Sequence, residues 1–340
     1  MAMKRKYWGL VFPMPSTQLG EIARQCETIG LEGIWAPQLW GPGFIPLAAA
    51  AMTTSRVKLG TGVVHAFSRS PLETATSALD LDAISGGRCV LGIGPTVRWW
   101  NEAWHGVHYG KPIPHLREAV SVIRTIIQRG HTGDLGKIEG EYYRLDLDRF
   151  QTLAAPVRTE IPIYIPAVYE TACRLAGEIA DGLPGHPIWA EQWILNQVAA
   201  NVAKGLAKAG RDRASFDLNV WLFLAPGPNR RECIEDARLT VAFYSSFEQY
   251  EKYFAACGYG DAARAITAAS QAKDTPAMLK ACPDDMVEHF ALVGPIDEVR
   301  KRVDRIAAVA DSFTLCAPFY GLGLDKLGAY NQRIAEGFYV

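Results

Sequence analysis

Charge of one sign is what this sequence most plainly lacks. Its 340 residues carry 35 Lys and Arg against 36 Asp and Glu, a formal net charge of −1. Without a basic excess there is no chain-wide footprint for neutralising phosphates, so nucleic acid is not the expected partner. Long apolar runs are missing too. The uncharged stretch 33–55 is broken by Pro37, Gly41, Pro42, Gly43 and Pro46 and cannot form a membrane-spanning helix. The basic residues Lys4, Arg5 and Lys6 run into Pro13 and Pro15 rather than into an apolar signal core, and the expectation is a cytoplasmic protein with no membrane partner. Seven cysteines lie at least 24 residues apart. None forms a C-x-x-C pair, so a zinc knuckle or dithiol centre is not expected, and buried free thiols are. There is no G-x-S-x-G, no Walker A loop and no H-E-x-x-H, which removes support for serine hydrolase, P-loop and zincin chemistry.

What is present is an alternation. Apolar residues make up 49 % of the chain, enough for a large core. Short apolar strands read at 7–12, 33–36, 57–64, 89–93, 161–165, around Leu183, at 218–224 and at 313–317, with helical periodicity after each. A hairpin reads at 137–145 and a helix-rich stretch at 229–286. Eight strand–helix units without an internal repeat or linker imply one α/β domain spanning 1–340. The expected fold is a (β/α)₈ TIM barrel with the 229–286 stretch as a helical insertion before the last strand. A doubly wound sheet is the alternative, but the first strand ends in Pro13-Met14-Pro15-Ser16 with no glycine-rich turn. Leu91-Gly92-Ile93-Gly94-Pro95 lacks the third glycine of a dinucleotide fingerprint.

In such a barrel the loops after the strands carry the chemistry. They hold Gln38 and Trp40, then His65, then a segment from Pro95 to His105 with Trp99, Trp100, Glu102 and Trp104, then Ala167 to Thr171, then His186 and Trp189. Six of nine tryptophans (40, 99, 100, 104, 189 and 193) fall on or beside this rim, which implies a large, flat, apolar pocket. His65, His105 and His186 reach the same rim without an acidic residue at metal spacing, so a metal centre is not expected. His65, His105 and Glu102 are the candidate proton donors, Glu102 because burial among rings would raise its pKa, although a salt-bridged or capping glutamate reads equally well.

Two stretches carry a family resemblance: Val57-Lys58-Leu59-Gly60-Thr61-Gly62-Val63-Val64 through Arg69-Ser70-Pro71, and Asp80-Leu81-Asp82-Ala83-Ile84-Ser85-Gly86-Gly87-Arg88-Cys89-Val90-Leu91-Gly92-Ile93-Gly94. With Ala176-Gly177-Glu178-Ile179-Ala180-Asp181-Gly182 and Val293-Gly294-Pro295 they resemble the bacterial luciferase-like superfamily. The Asn101-Glu102-Ala103-Trp104-His105-Gly106 segment is most similar to its F420-dependent branch, which includes methylenetetrahydromethanopterin reductase. The resemblance implies a hydride-transferring oxidoreductase that uses coenzyme F420 on a C=C, C=N or C=O group of a small organic substrate. It also implies a homodimer. The alternatives are an FMN-dependent two-component monooxygenase, which would need a partner flavin reductase, and a non-enzymatic flavin-like ligand-binding protein.

The resemblance further implies a bulge with a non-proline cis peptide joining Gly62 to Val63 behind the ring. It sets Gln38 and Trp40 facing the ring, Trp40 and Trp104 as an apolar wall, and Pro95 and Thr96 against the ring or ribityl chain. It sets Ala167, Val168, Tyr169 and Thr171 at the phosphate. Two departures stand out. Many F420-dependent relatives carry Asp-His where this chain has Pro37-Gln38. The phosphate turn, usually glycine-containing, reads Val168-Tyr169-Glu170-Thr171, and Glu170 would repel a phosphate unless turned away.

Overall fold

The computed structural model describes residues 5–39 and 41–339. Eight parallel strands close into a barrel: β1 (Lys6–Leu10), β2 (Gly33–Ala36), β3 (Lys58–Thr61), β4 (Cys89–Gly94), β5 (Ile163–Tyr164), β6 (Gly182–Pro184), β7 (Asp217–Pro226) and β8 (Ser312–Cys316). Each pairs with the next in chain order, and β8 pairs with β1. The strands are short and apolar because both faces are covered, by helices outside and by ring systems inside. Helices such as Pro71–Ser85 and Pro112–Arg129 follow the strands and turn an apolar stripe inward. Ser70 caps the first of these through the Glu73 amide, with Pro71 at the first helical position.

The barrel floor is aromatic. Trp8 of β1, Trp35 of β2, Val90 of β4, Tyr164 of β5 and Trp221 of β7 form one buried cluster, with Trp8 and Trp35 stacked at 4.2 Å. Rings of this size fit only because a neighbouring strand gives way: a Cβ on Gly60 would lie 2.2 Å from the Trp35 ring. Below the rings runs a polar layer. The Asn219 amide donates to Ser312 Oγ and accepts from Trp221 Nε1, while Tyr164 Oη and Ser312 Oγ donate to Asp217. These buried groups are satisfied by one another.

The sequence reading and the fold part in a few places. The 57–64 strand is two pieces, β3 and a bridge over Val64–His65 that pairs with the end of β4. An additional strand, Ala291–Gly294, pairs with the last four residues of β7. Its four apolar residues sit between two helices and lack the length to stand out in the sequence. The 229–286 stretch is helical as expected: Arg230–Ser245, Glu251–Ala256, Gly260–Gln271, Thr275–Lys280 and Asp284–Phe290 lie between β7 and that additional strand. Arg238 knits the ends of this insertion, pairing with Glu235 and Asp284 and donating to the Cys282 carbonyl. No helix among the described residues is long and apolar enough to cross a membrane.

Candidate active site

At the end of β3 the chain breaks its ladder. Gly62 N–H donates to the Ala36 carbonyl at 2.9 Å, and Thr61 Oγ1 donates to the Gly92 carbonyl at 2.7 Å. Between these anchors and the Val64–Ile93 pairing, the Gly62–Val63 peptide bond is cis. Thr61 and Val64 are buried, whereas Gly62 and Val63 keep accessible surface. Gly62 and Val63 thus present an apolar backbone ledge, and a Cβ on Gly62 would stand 3.1 Å from the Trp221 ring and 3.1 Å from the Trp35 Cβ. Gly92 permits the close approach of β4, since a Cβ there would lie 2.0 Å from the Thr61 carbonyl oxygen.

His65 follows the ledge and is 2 % exposed. Its Nε2 lies 3.2 Å from the Gln38 carbonyl oxygen. A carbonyl only accepts, so Nε2 carries the proton and donates, and Nδ1 is left as a lone pair. That Nδ1 is buried without a partner among the described residues, as is Gln38 Oε1. Burial first, and the nearby His105 second, push the His65 imidazole down to about 4. At neutral pH His65 is therefore an acceptor or base. The proton-donor role expected for it does not fit this protonation state.

Beyond β4 the backbone turns sharply at Thr96, whose φ of 53° lies in the left-handed region. The turn is held from both sides: Asn101 Nδ2 donates to the Pro95 carbonyl and Tyr109 Oη to the Thr96 carbonyl. The following wide helical turn, Trp100–Trp104, stacks Trp100 on Trp104 at 4.9 Å and brings Trp100 within 5.9 Å of the His65 ring. His105 meets His65 edge-on at 5.3 Å, on the solvent side. Glu102 departs from expectation. It is exposed and pairs with Arg98 at 2.9 Å, the salt-bridged arrangement rather than the buried one. Of the other sequence candidates, Trp40 lies outside the described residues. Trp189 is a core residue, 1 % exposed, and Trp193 donates to the Val168 carbonyl, so the rim holds fewer free tryptophans than its sequence suggests.

After β5, the helix Glu170–Ile179 opens with Tyr169 at its cap and no side chain bonded to its first-turn amides. Glu170 turns back along the helix to Arg174 at 3.0 Å. The carboxylate is thereby drawn off the helix N-terminus, which leaves that end with its free N–H groups and positive dipole. Tyr169 Oη donates to the Gln249 carbonyl, tying this turn to the insertion.

The insertion brings in side chains that sequence reasoning missed. Phe243, Tyr244, Phe247 and Tyr250 recur along 243–250, an aromatic stripe that was the available signal. Tyr244 meets His186 edge-on at 5.2 Å and Phe223 of β7 at 5.8 Å, and Phe319 links Phe223 to Phe12. The mouth thus has a tryptophan–histidine wall on the β2–β4 side, where the ledge lies at the end of β3, and a phenylalanine–tyrosine wall on the β6–β8 side. Among the described residues no three His, Cys, Asp or Glu converge as metal ligands do.

Comparison with known proteins agrees with this geometry. The profile of the luciferase-like monooxygenase family matches residues 9–312. The chain is 30 % identical to a 5,10-methylenetetrahydromethanopterin reductase of Archaeoglobus fulgidus over 268 residues, 77 % of this chain and 76 % of that one. In fold it matches the coenzyme F420 dependent tetrahydromethanopterin reductase of Methanopyrus kandleri, with a TM-score of 0.78 at 22 % identity over 99 % of this chain and 98 % of that one. It also matches the oxygenating constituent of the 3,6-diketocamphane monooxygenase of Pseudomonas putida, solved with FMN, with a TM-score of 0.67 at 18 % identity over 100 % and 98 % of the two chains.

Proposed function

The chain belongs to the luciferase-like monooxygenase family, and on that premise we propose that this enzyme passes a hydride between coenzyme F420 and a small organic substrate through a C=C, C=N or C=O group. The observation that carries the reading is the Gly62–Val63 ledge: an apolar stretch of backbone with accessible surface at the end of β3, backed by the Trp221 indole and the Trp35 Cβ. A planar tricyclic ring matches such a surface. Gln38, Gly62, Val63, Pro95 and Thr96 would hold the ring and ribityl chain. Ala167, Val168, Tyr169 and Thr171 would hold the phosphate, where the turning of Glu170 toward Arg174 leaves the helix amides free for an anion. When bound, F420 supplies or takes up a hydride at C5 of its deazaflavin ring. The name of the Archaeoglobus relative, a reductase, supports a hydride-transfer reading.

The protein's own part is orientation, exclusion of water and proton management. Trp100, beside the His65 ring, and Trp104, stacked on it, would shield the reacting pair from solvent on that side. His65, neutral and with Nδ1 unpartnered, accepts a hydrogen bond or a proton from the reacting pair, and His105 stands between it and solvent. This imidazole takes the place of the acid–base pair that Pro37-Gln38 lacks. Cytoplasmic location and a homodimer belong to the same reading.

Titration of the purified protein with oxidised F420 and, separately, with FMN, followed by tryptophan quenching, tests it. Micromolar or tighter F420 binding with weaker FMN binding is expected. The reverse order sinks the F420 assignment and favours the second reading, a two-component FMN monooxygenase, which the likeness to the FMN-bound Pseudomonas protein supports. Oxygen consumption with FMN kept reduced by a flavin reductase then distinguishes the two.

A further inference from the structure

On the wall opposite His65, the insertion delivers two phenols, Tyr244 and Tyr250, beside His186. Tyr250 Oη lies 2.9 Å from His186 Nε2, and His186 follows directly on the end of β6. The Ile188 N–H donates to His186 Nδ1 at 3.4 Å. A nitrogen that accepts carries no proton, so the single proton of the neutral imidazole sits on Nε2, which donates to the Tyr250 oxygen. Burial alone pushes His186 down to about 3, which keeps it neutral. The phenolic hydrogen of Tyr250 is then not engaged by His186, and the neighbouring Gln249 side chain is the other hydrogen-bonding group beside its oxygen.

The surroundings say where it points. His186, Tyr244 and Tyr250 are enclosed by protein on all sides yet keep accessible surface, as groups lining a concavity do. The charges felt by Tyr250 come from two other phenols, Tyr169 and Tyr109, and none felt by His186 comes from a Lys, Arg, Asp or Glu. Phe223 and Phe319 continue the wall. This side of the mouth is aromatic, with no charged side chain among these residues, and Tyr250 is the phenol on it that a histidine holds in orientation. We propose that Tyr250 is a substrate-contacting hydrogen-bond donor, held in orientation by His186, and that the substrate is an uncharged, planar molecule presenting one acceptor oxygen to it, an aryl or enone carbonyl. The proposal rests on the mouth being the substrate site, as in the function proposed above. It concerns the wall opposite the coenzyme ledge.

The probe is prodan, an uncharged planar naphthyl ketone whose emission moves to the red when its carbonyl accepts a hydrogen bond. It is titrated into the full chain, with and without F420, for the wild type and for Tyr250→Phe, His186→Leu and His186→Gln, each checked for fold by circular dichroism. The wild type is expected to bind prodan with hydrogen-bonded, red-shifted emission. Tyr250→Phe is expected to weaken binding about five- to tenfold, the worth of one neutral hydrogen bond, and to return the emission to the blue. His186→Leu should reproduce the blue shift by freeing the phenol rotor. His186→Gln, whose amide can donate to the same oxygen, should restore the red emission, which a merely structural role for the histidine would not do. Unchanged emission and affinity in Tyr250→Phe, failure of the wild type to bind prodan, or tighter binding of anionic naphthoate than of the ketone overturns the proposal. Loss of F420 binding with the prodan shift intact sinks the coenzyme assignment alone, and the converse sinks the Tyr250 assignment alone.

Discussion

Acid should destabilise this fold through His65, and the size of the effect follows from its surroundings. The imidazole is 2 % exposed, donates Nε2–H to the Gln38 carbonyl and is pushed down to about 4 by burial and by His105. In the unfolded chain its pKa is about 6.5. Its native pKa is depressed, so the unfolded state binds the extra proton first. The stability it contributes is present above pH about 6.5 and is lost as the pH falls from there toward 4. Between pH 7 and 5 the unfolded state takes up most of a proton and the native state about a tenth of one, a loss of about 2 kcal/mol from this residue. His186, pushed down to about 3, adds a similar loss in the same direction. The perturbation is His65→Gln, whose side-chain amide can still donate to the Gln38 carbonyl and does not titrate. Urea unfolding followed by tryptophan fluorescence at pH 7 and pH 5 should show the wild type losing about 2 kcal/mol more than the variant. Equal losses in the two proteins refute the assignment of His65 as a buried neutral group.

Three further outcomes are expected. Gly92→Ala sets a Cβ 2.0 Å from the Thr61 carbonyl oxygen, so it should displace the ledge, cost about 1–3 kcal/mol in thermal unfolding and abolish coenzyme binding in the fluorescence titration. Arg158→Ala removes the guanidinium that grips both oxygens of Asp82, itself 1 % exposed; stranding that carboxylate should cost about 3–5 kcal/mol by urea denaturation without moving the coenzyme affinity of the folded fraction. Glu102→Gln breaks only an exposed pair with Arg98, worth under about 1 kcal/mol, and should leave kcat/KM for any substrate found within about twofold.

The barrel was legible because its strands are short apolar runs and its helices carry one stripe each. All eight barrel strands fall where the pattern marks them. The additional strand Ala291–Gly294 was not, since four apolar residues between helices have no period of their own. The ledge was anticipated through family resemblance, not periodicity: Thr61-Gly62-Val63 reads as ordinary strand, and only the close approach of Gly92 and the Thr61–Gly92 hydrogen bond show why the chain must leave the ladder there. The rim was partly misjudged. Residue type marks Trp189 and Glu102 as site candidates, but direction decides, and one faces the core while the other faces solvent and Arg98. Tyr250 was hidden for the opposite reason. It lies in an insertion 64 residues beyond His186 in the chain, where the pairing exists only in three dimensions.

The proposed seat of the deazaflavin ring is the Gly62–Val63 backbone. A crystal structure of the protein with oxidised F420 tests it most directly. The expected result is a ring face in van der Waals contact, about 3.5–4 Å, with the Gly62–Val63 peptide plane, and a phosphate at the free amides that open the Glu170–Ile179 helix. A coenzyme seated elsewhere in the barrel, or a site that takes up FMN and leaves F420 in solution, contradicts it.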